Sequence, residues 1–168
     1  MSIEKHIARA RSSAFGMWKL NFGLQRLVPF NRPHGIKIVQ IEDDLVKAVI
    51  PFKRKNLNHI KGIHACGMAT AAEFSSGFLL LWKLGEKKYR LIMESLEVQY
   101  HYQAKTNVTA TFHMTPEWMQ EFVFKPLDSL EQVLVRCEIK LYDTVGNHVA
   151  TAHTNWQIKP WSKVKTRV

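Results

Sequence analysis

The stretch from Ile63 to Trp82, IHACGMATAAEFSSGFLLLW, constrains this chain more than any other segment. Its Ala, Gly, Met, Phe and Leu residues occupy every side of a helical wheel. A helix built from them has no polar face to give to water and must be covered on most sides. The segment is also long enough to be weighed as a membrane span. Against a span stand Thr70, Ser75, Ser76 and above all Glu73, the only formally charged side chain in the stretch, since a carboxylate in lipid is costly. A buried helix in a folded domain is the expected form. Glu73 is then desolvated, and such a group has a partner, a raised pKa or a chemical task.

The flanking segments supply the cover. Ile36–Ile41 and Leu45–Ile50 alternate as strands around the acidic cluster Glu42-Asp43-Asp44 and read as a hairpin. A polar, basic connection at 51–63 follows, and the helix runs from about His64 to Leu84 with Gly85 as its stop signal. Residues 89–105 and 107–114 read as strands, the first changing phase between Met93 and Leu96 as a bulge would. Val133–Tyr142 and His148–Ile158 are long strands joined by the turn Asp143-Thr144-Val145-Gly146-Asn147. Residues 115–131, with Pro116 and Pro126, read as an irregular flap or partner contact. The pattern implies an α+β fold, one long central helix cradled in a curved antiparallel sheet. The small stripe Ala65, Ala69, Ala72 and Ser76 is expected against the sheet, and Met68, Ala71 and Ser75 toward a second subunit.

Residues 3–28 carry apolar positions at helical spacing, from Ile3 and Ile7 to Leu24 and Leu27. One amphipathic helix is expected, broken near Gly16 or Gly23 and ended by Pro29 and Pro33. The division is an N-terminal helix at 1–33 packed on a domain at 34–168. The polar face with Arg9, Arg11 and Lys19 leaves a membrane-surface role open beside packing on the domain.

The net charge of +10 favours anionic partners. The basic residues gather in the first 32 positions, at Lys53-Arg54-Lys55, across Lys83 to Arg90, and in the tail at Lys159, Lys163, Lys165 and Arg167. The tryptophans lack the aromatic–basic interleaving of a nucleic-acid module, so no nucleic-acid partner is expected. Two cysteines far apart in sequence make neither a disulfide framework nor a CxxC site, and no signal peptide is seen at residues 1–30. A reduced, cytoplasmic setting is the expectation. The eight histidines show no HxxxH or HExxH spacing, and no metal is expected.

The run NHIKGIHACGMATAAEF, starting at Asn58, resembles the hotdog-fold acyl-CoA thioesterases. It is most similar to the small phenylacetyl-CoA-thioesterase-like branch, whose pattern is Asn, a His-Gly-Gly six residues on, and an Asp or Glu nine residues after that His. Asn58, His64 and Glu73 stand at those intervals; Ala65-Cys66 replaces Gly-Gly, and the loop glycine is Gly62. The resemblance implies a hotdog fold and acyl-thioester hydrolysis, with coenzyme A entering as part of the substrate and no other cofactor. Glu73 would be general base or nucleophile, with Asn58 and His64 as the other motif positions of the catalytic site; His64 and His59, which flank the helix entry, are candidates for a general acid or orienting group. The backbone N–H groups of Ala65 and Cys66 would polarise the thioester carbonyl.

Helix geometry adds a constraint of its own. Glu73 lies roughly 10–14 Å along the axis from the helix start, too far for both to serve one carbonyl within a subunit. The site is therefore expected between two subunits of a homodimer or dimer of dimers. Lys53, Arg54, Lys55 and Lys61 precede the helix and are candidates for gripping the coenzyme A phosphates, and His59 and Gly62 of the same connection are further substrate-binding candidates. Two alternatives stay open: a non-catalytic hotdog module that binds acyl groups or a protein partner, and a hotdog β-hydroxyacyl dehydratase using His59 and Glu73. A Cys66 thiolate nucleophile at the helix start is a further candidate, beside a plain core cysteine.

Overall fold

The computed structural model describes residues 3–165; Met1, Ser2 and residues 166–168, with Arg167 of the basic tail, lie outside the described residues. Three helices open the chain: α1 (Ile3–Ser12), α2 (Ala14–Leu27) and the short α3 (Asn31–His34). The hairpin β1 (Lys37–Ile41) and β2 (Leu45–Ile50) leads to the central helix α4 (Ala65–Leu84). Then come β3 (Tyr89–Tyr100), β4 (Val108–His113), the short helices α5 (Pro116–Met119) and α6 (Lys125–Leu127), β5 (Val133–Asp143) and β6 (His148–Pro160). The strands form one six-stranded antiparallel sheet in the order β1-β2-β4-β5-β6-β3, curved around α4. No helix among the described residues is long and apolar enough to cross a membrane.

Alternation decides which side of the sheet meets the helix. Val46, Ala48 and Ile50 of β2, Val108, Ala110 and Phe112 of β4, and Val135, Cys137, Ile139 and Leu141 of β5 point inward and are buried. Several inward positions are small (Ala48, Ala110, and Ala150 and Ala152 of β6), which lets the α4 backbone sit close to the strands. Below the helix, the Ser76 hydroxyl accepts from the Trp156 indole N–H at 3.1 Å and meets the Thr154 hydroxyl at 3.1 Å, so the buried polar groups of this contact satisfy one another. A Cβ at Gly77 would stand 3.0 Å from the Trp156 ring, which explains the glycine there.

The two faces of α4 differ from the expected assignment. Met68, Ala71 and Ser75 are buried within the subunit together with Ala72 and Ser76, whereas Ala65 and Ala69 are half-exposed. The open strip of the helix is Cys66, Ala69, Thr70 and Glu73, at i, i+3, i+4 and i+7. An almost uniformly apolar sequence gives no periodic signal to tell these sides apart.

The N-terminal segment is two helices rather than one. The break falls at Ser13, not at Gly16 or Gly23: the extended Ser13 caps α2, its hydroxyl accepting the Gly16 N–H at 3.0 Å. Gly16 serves another purpose, because a Cβ there would be driven into the Arg9 carbonyl where α1 crosses α2. Pro33 lies inside α3 rather than ending the first helix. The segment at 115–131 is likewise helical through Leu127, as α5, one π turn at Gln120–Phe124, and α6. Thr115 caps it, accepting from the Trp118 N–H at 3.1 Å, so Pro116 in the first turn is a start signal rather than a breaker.

Asn21 ties α2 to the sheet edge. Its amide nitrogen donates to the Ile38 carbonyl at 2.8 Å and its oxygen accepts the Ile38 N–H at 2.8 Å, pairing β1 as a neighbouring strand would. Asn21→Ala would leave both buried backbone groups without partners. A loss of about 3 kcal/mol of stability is expected, measured as a lower urea midpoint at unchanged slope; an unchanged midpoint would overturn this role.

Candidate active site

The start of α4 is built by a loop that feeds backbone into it under tight control. The Ile63 N–H donates to the Ala104 carbonyl at 2.9 Å and the His64 N–H to the Asn56 carbonyl at 2.7 Å. Asn58 folds its side chain into the same loop: its amide oxygen accepts from the N–H groups of Ile60 at 3.1 Å and Gly62 at 3.0 Å. The tight turn holds Lys61 at φ 59, and a Cβ on Gly62 would press on Gln103. Asn58 thus shapes the approach to the helix, with its carbonyl oxygen already engaged.

His64 is the N-cap residue. Its backbone is extended, and its Nδ1 accepts the Cys66 N–H at 3.1 Å. Its carbonyl accepts from the N–H groups of Gly67 at 3.0 Å and Met68 at 3.3 Å. Of the first four amides of α4, only the Ala65 N–H lacks an acceptor among the described residues. The expected pair of donors, Ala65 and Cys66, therefore narrows to one. On its other side the Ala65 carbonyl accepts from the Tyr100 hydroxyl at 2.9 Å, and burial raises the Tyr100 pKa. This end of the helix carries the positive pole of its dipole.

A cavity of about 270 Å³ opens beside it, lined among others by Phe30, His34, Lys55, Asn56, His64, Cys66 and Thr70. Its wall is fixed by Asn56, which is buried. The Asn56 amide nitrogen donates to the carbonyls of His34 and Pro51, both at 2.8 Å, and its oxygen lies 3.1 Å from the His34 Nδ1. Both surfaces of the cavity are thereby pinned, the α3 side through His34 and the helix side through the Asn56 carbonyl that holds His64.

Glu73 stands two turns along α4 on its open strip. It is half-buried, no hydrogen-bond or ion-pair partner is found for it among the described residues, and burial raises its pKa above the ordinary 4.5. Its carboxylate lies over Gly77, 3.6 Å from where a Cβ would be. It does not line this cavity; the lining ends at Thr70, one turn earlier.

The remaining sequence candidates separate. Lys55 lines the cavity and is exposed; Arg54 and Lys61 are exposed on the same connection, while Lys53 is half-buried beside Gly35. His59 is exposed in the loop and takes no part in the cavity lining. Cys66 is exposed rather than a core cysteine. Cys137 is buried, and burial pushes its thiol up to about 12. Four residues not singled out from the sequence stand at this candidate site: His34, Asn56 and Thr70 line the cavity, and Tyr100 bonds the helix start. Asn56 carried a usable signal, a short polar amide inside an otherwise basic connection. Thr70 lies one turn after Cys66 on α4 itself, whereas His34 and Tyr100 are brought in from segments distant in sequence. Among the described residues, no group of three or more His, Cys, Asp or Glu side chains could hold a metal ion.

Known structures share this architecture. A Pseudomonas aeruginosa protein described as a "Probable Thioesterase" superposes with a TM-score of 0.74 at 20% identity, over 81% of this chain and 90% of that one. A thioesterase enzyme from Staphylococcus aureus matches with a TM-score of 0.64 at 16% identity, over 79% and 99% of the two chains. A thioesterase from Haemophilus influenzae gives 0.64 at 12% identity, over 82% and 88%. At such identities the likeness establishes the fold, which is the hotdog fold. No curated protein matches the sequence. Residues 16–158 match one family model, and the chain belongs to that family, described as a domain of unknown function (DUF4442).

Proposed function

We propose that the protein hydrolyses an acyl thioester, with acyl-CoA as the substrate class, at a site shared between two copies of the chain. The observation that carries this reading is a half-buried Glu73 carboxylate with no partner among the described residues, on the same helix as an Ala65 N–H that has no acceptor there, the latter between the cavity-lining His64 and Cys66. Glu73 and Ala65 lie eight residues apart on one helix, about 12 Å along its axis, so neither can complete the other within a subunit. In the proposed dimer, the thioester carbonyl accepts from Ala65 N–H of one copy. Glu73 of the second copy takes a proton from water, and the resulting hydroxide adds to the carbonyl carbon. The oxyanion rests on the N–H and the helix dipole. Collapse breaks the C–S bond, and the proton held by Glu73 passes to the departing thiolate. Lys55, with Arg54 and Lys61 nearby, supplies exposed cations for the coenzyme A phosphates.

The edge strand β3 supports a paired state. It is 12 residues long, lies at the rim of the sheet, and leaves Leu91, Met93, Leu96 and Val98 only half-buried. An open edge of that length is a template for a second strand. The test couples a thiol-release assay across acyl-CoAs of different chain length with sedimentation velocity at micromolar protein. Turnover by a dimer or larger assembly is expected. A monomer would overturn the shared site, and tight acyl-CoA binding without thiol release would favour the non-catalytic module.

A further inference from the structure

The outward face of α2 is unusual for a surface helix, because its inner face already meets the domain's need for burial. Gly16, Leu20 and Asn21 are buried against α1 and β1. Facing the other way, Phe15, Trp18 and Phe22 are 64%, 57% and 47% exposed and stack in a row, with ring centroids 5.8 and 5.4 Å apart. Two cations frame the row. Lys19 Nζ sits 4.4 Å from the Phe15 ring centroid and the Arg26 guanidinium 3.8 Å from that of Phe22. The apolar surface continues past the helix through Leu27, 80% exposed, to Phe30, 62% exposed, which also lines the cavity beside α4.

Charge says what could cover this face. Besides Lys19 and Arg26 on the face itself, the chain carries five further Lys or Arg residues and no Asp or Glu between Glu4 and Glu42, of which Arg11 is paired with Asp43 at 2.7 Å. A basic protein partner is disfavoured there, and an anionic one is drawn to it. Rings at the level of an interface, with cations whose stems lie along them and whose heads reach anionic groups, match the chemistry of a lipid headgroup boundary. We propose that this face of α2 docks the folded protein on an anionic lipid bilayer. Asn21 holds the helix to β1, so the face is presented ready-made rather than formed on contact. Docking would set the Phe30 rim of the cavity near the headgroups, where long-chain acyl thioesters partition; that last consequence rests on the hydrolase reading, whereas docking does not.

Full-length protein should co-sediment with vesicles of mixed phosphatidylglycerol and phosphatidylcholine and remain in the supernatant with phosphatidylcholine alone. The variant Lys19→Gln/Arg26→Gln, with the rings intact, should bind the anionic vesicles roughly 30-fold more weakly. Phe15→Ser/Trp18→Ser/Phe22→Ser should abolish sedimentation at the same melting temperature, these side chains being exposed. Equal binding to neutral vesicles, no binding to either kind, or full binding by the triple variant would each overturn the proposal. So would a lower mass for the triple variant in sedimentation velocity without vesicles, which would assign the face to a second copy of the chain. Acyl-CoA turnover does not enter these readouts, so the hydrolase reading and the docking stand or fall separately.

Discussion

Glu73→Gln is expected to lower kcat for acyl-CoA hydrolysis by about 10²–10⁴-fold, the range that removal of a positioned general base produces. The amide keeps the volume and shape of the carboxylate, so fold and substrate affinity should change little. The same substitution has a second readout that does not require turnover. Burial raises the folded-state pKa of Glu73 above its ordinary 4.5. Between those two values the folded protein holds a proton that the unfolded chain has released, so the carboxyl's effect on stability worsens as pH rises through that window. Glu73→Gln, which carries no charge to desolvate, should therefore be more stable than the natural chain at neutral pH. The difference should vanish below the ordinary carboxylate pKa. Gained stability with lost activity is the mark of a group kept for chemistry at a cost to the fold. Equal rates for both proteins would remove Glu73 from the mechanism; equal stability across pH would show that its burial is relieved in the assembly.

The pH–rate profile follows from the same shift. The base must be ionised, so activity should fall on the acid side through the raised pKa, at a higher pH than an unperturbed glutamate would set. In Glu73→Gln that acid limb should disappear along with most of the rate. A limb that persisted would belong to another group.

Local signals in the sequence located the elements well. Gly85 ended α4 where expected, the Asp143 to Asn147 turn joined β5 to β6, and the phase change after Met93 is a true register shift between Met93 and Ser95. Each of these depends on residues adjacent in the chain. What sequence could not resolve depends on partners far away or on competition among local bonds. The inward side of α4 is set by which strands approach, and an apolar helix offers no moment to read. Pro116 and Pro126 looked like breakers, although Thr115-Pro116-Glu117 is a local helix-start signal, a cap residue with proline and an acid in the first turn. At the site, the intervals among Asn58, His64 and Glu73 were legible, but the use of their atoms was not. Asn58 spends its oxygen on its own loop, and His64 takes up the Cys66 N–H that had been assigned to the substrate. Asn21 and Asn56 gain their importance from Ile38 and His34, 17 and 22 residues away.

The Ala65 N–H, which has no acceptor among the described residues, permits the most demanding test of a shared site. Ala65 is the first residue of α4, following an extended His64 at φ −64 and ψ 137. Proline is well tolerated at that position, and the residue before it already has the backbone that proline requires. Ala65→Pro should thus delete the N–H donor while keeping the helix, and lower kcat by about 10²–10³-fold, as loss of one oxyanion donor does. If each site joins the Ala65 N–H of one copy to Glu73 of the other, two inactive proteins can repair each other. In a heterodimer of Ala65→Pro with Glu73→Gln, one site keeps both natural groups and the other has neither. Random exchange makes about half of the dimers mixed, so co-refolding equal amounts should restore roughly a quarter of natural activity against a background of 10⁻² or less. A site contained within one subunit admits no such rescue, because every copy then carries one defect. Activity that stayed at background after proven subunit exchange would rule out the shared site and dissolve the mechanism that joins Glu73 of one copy to the helix start of the other.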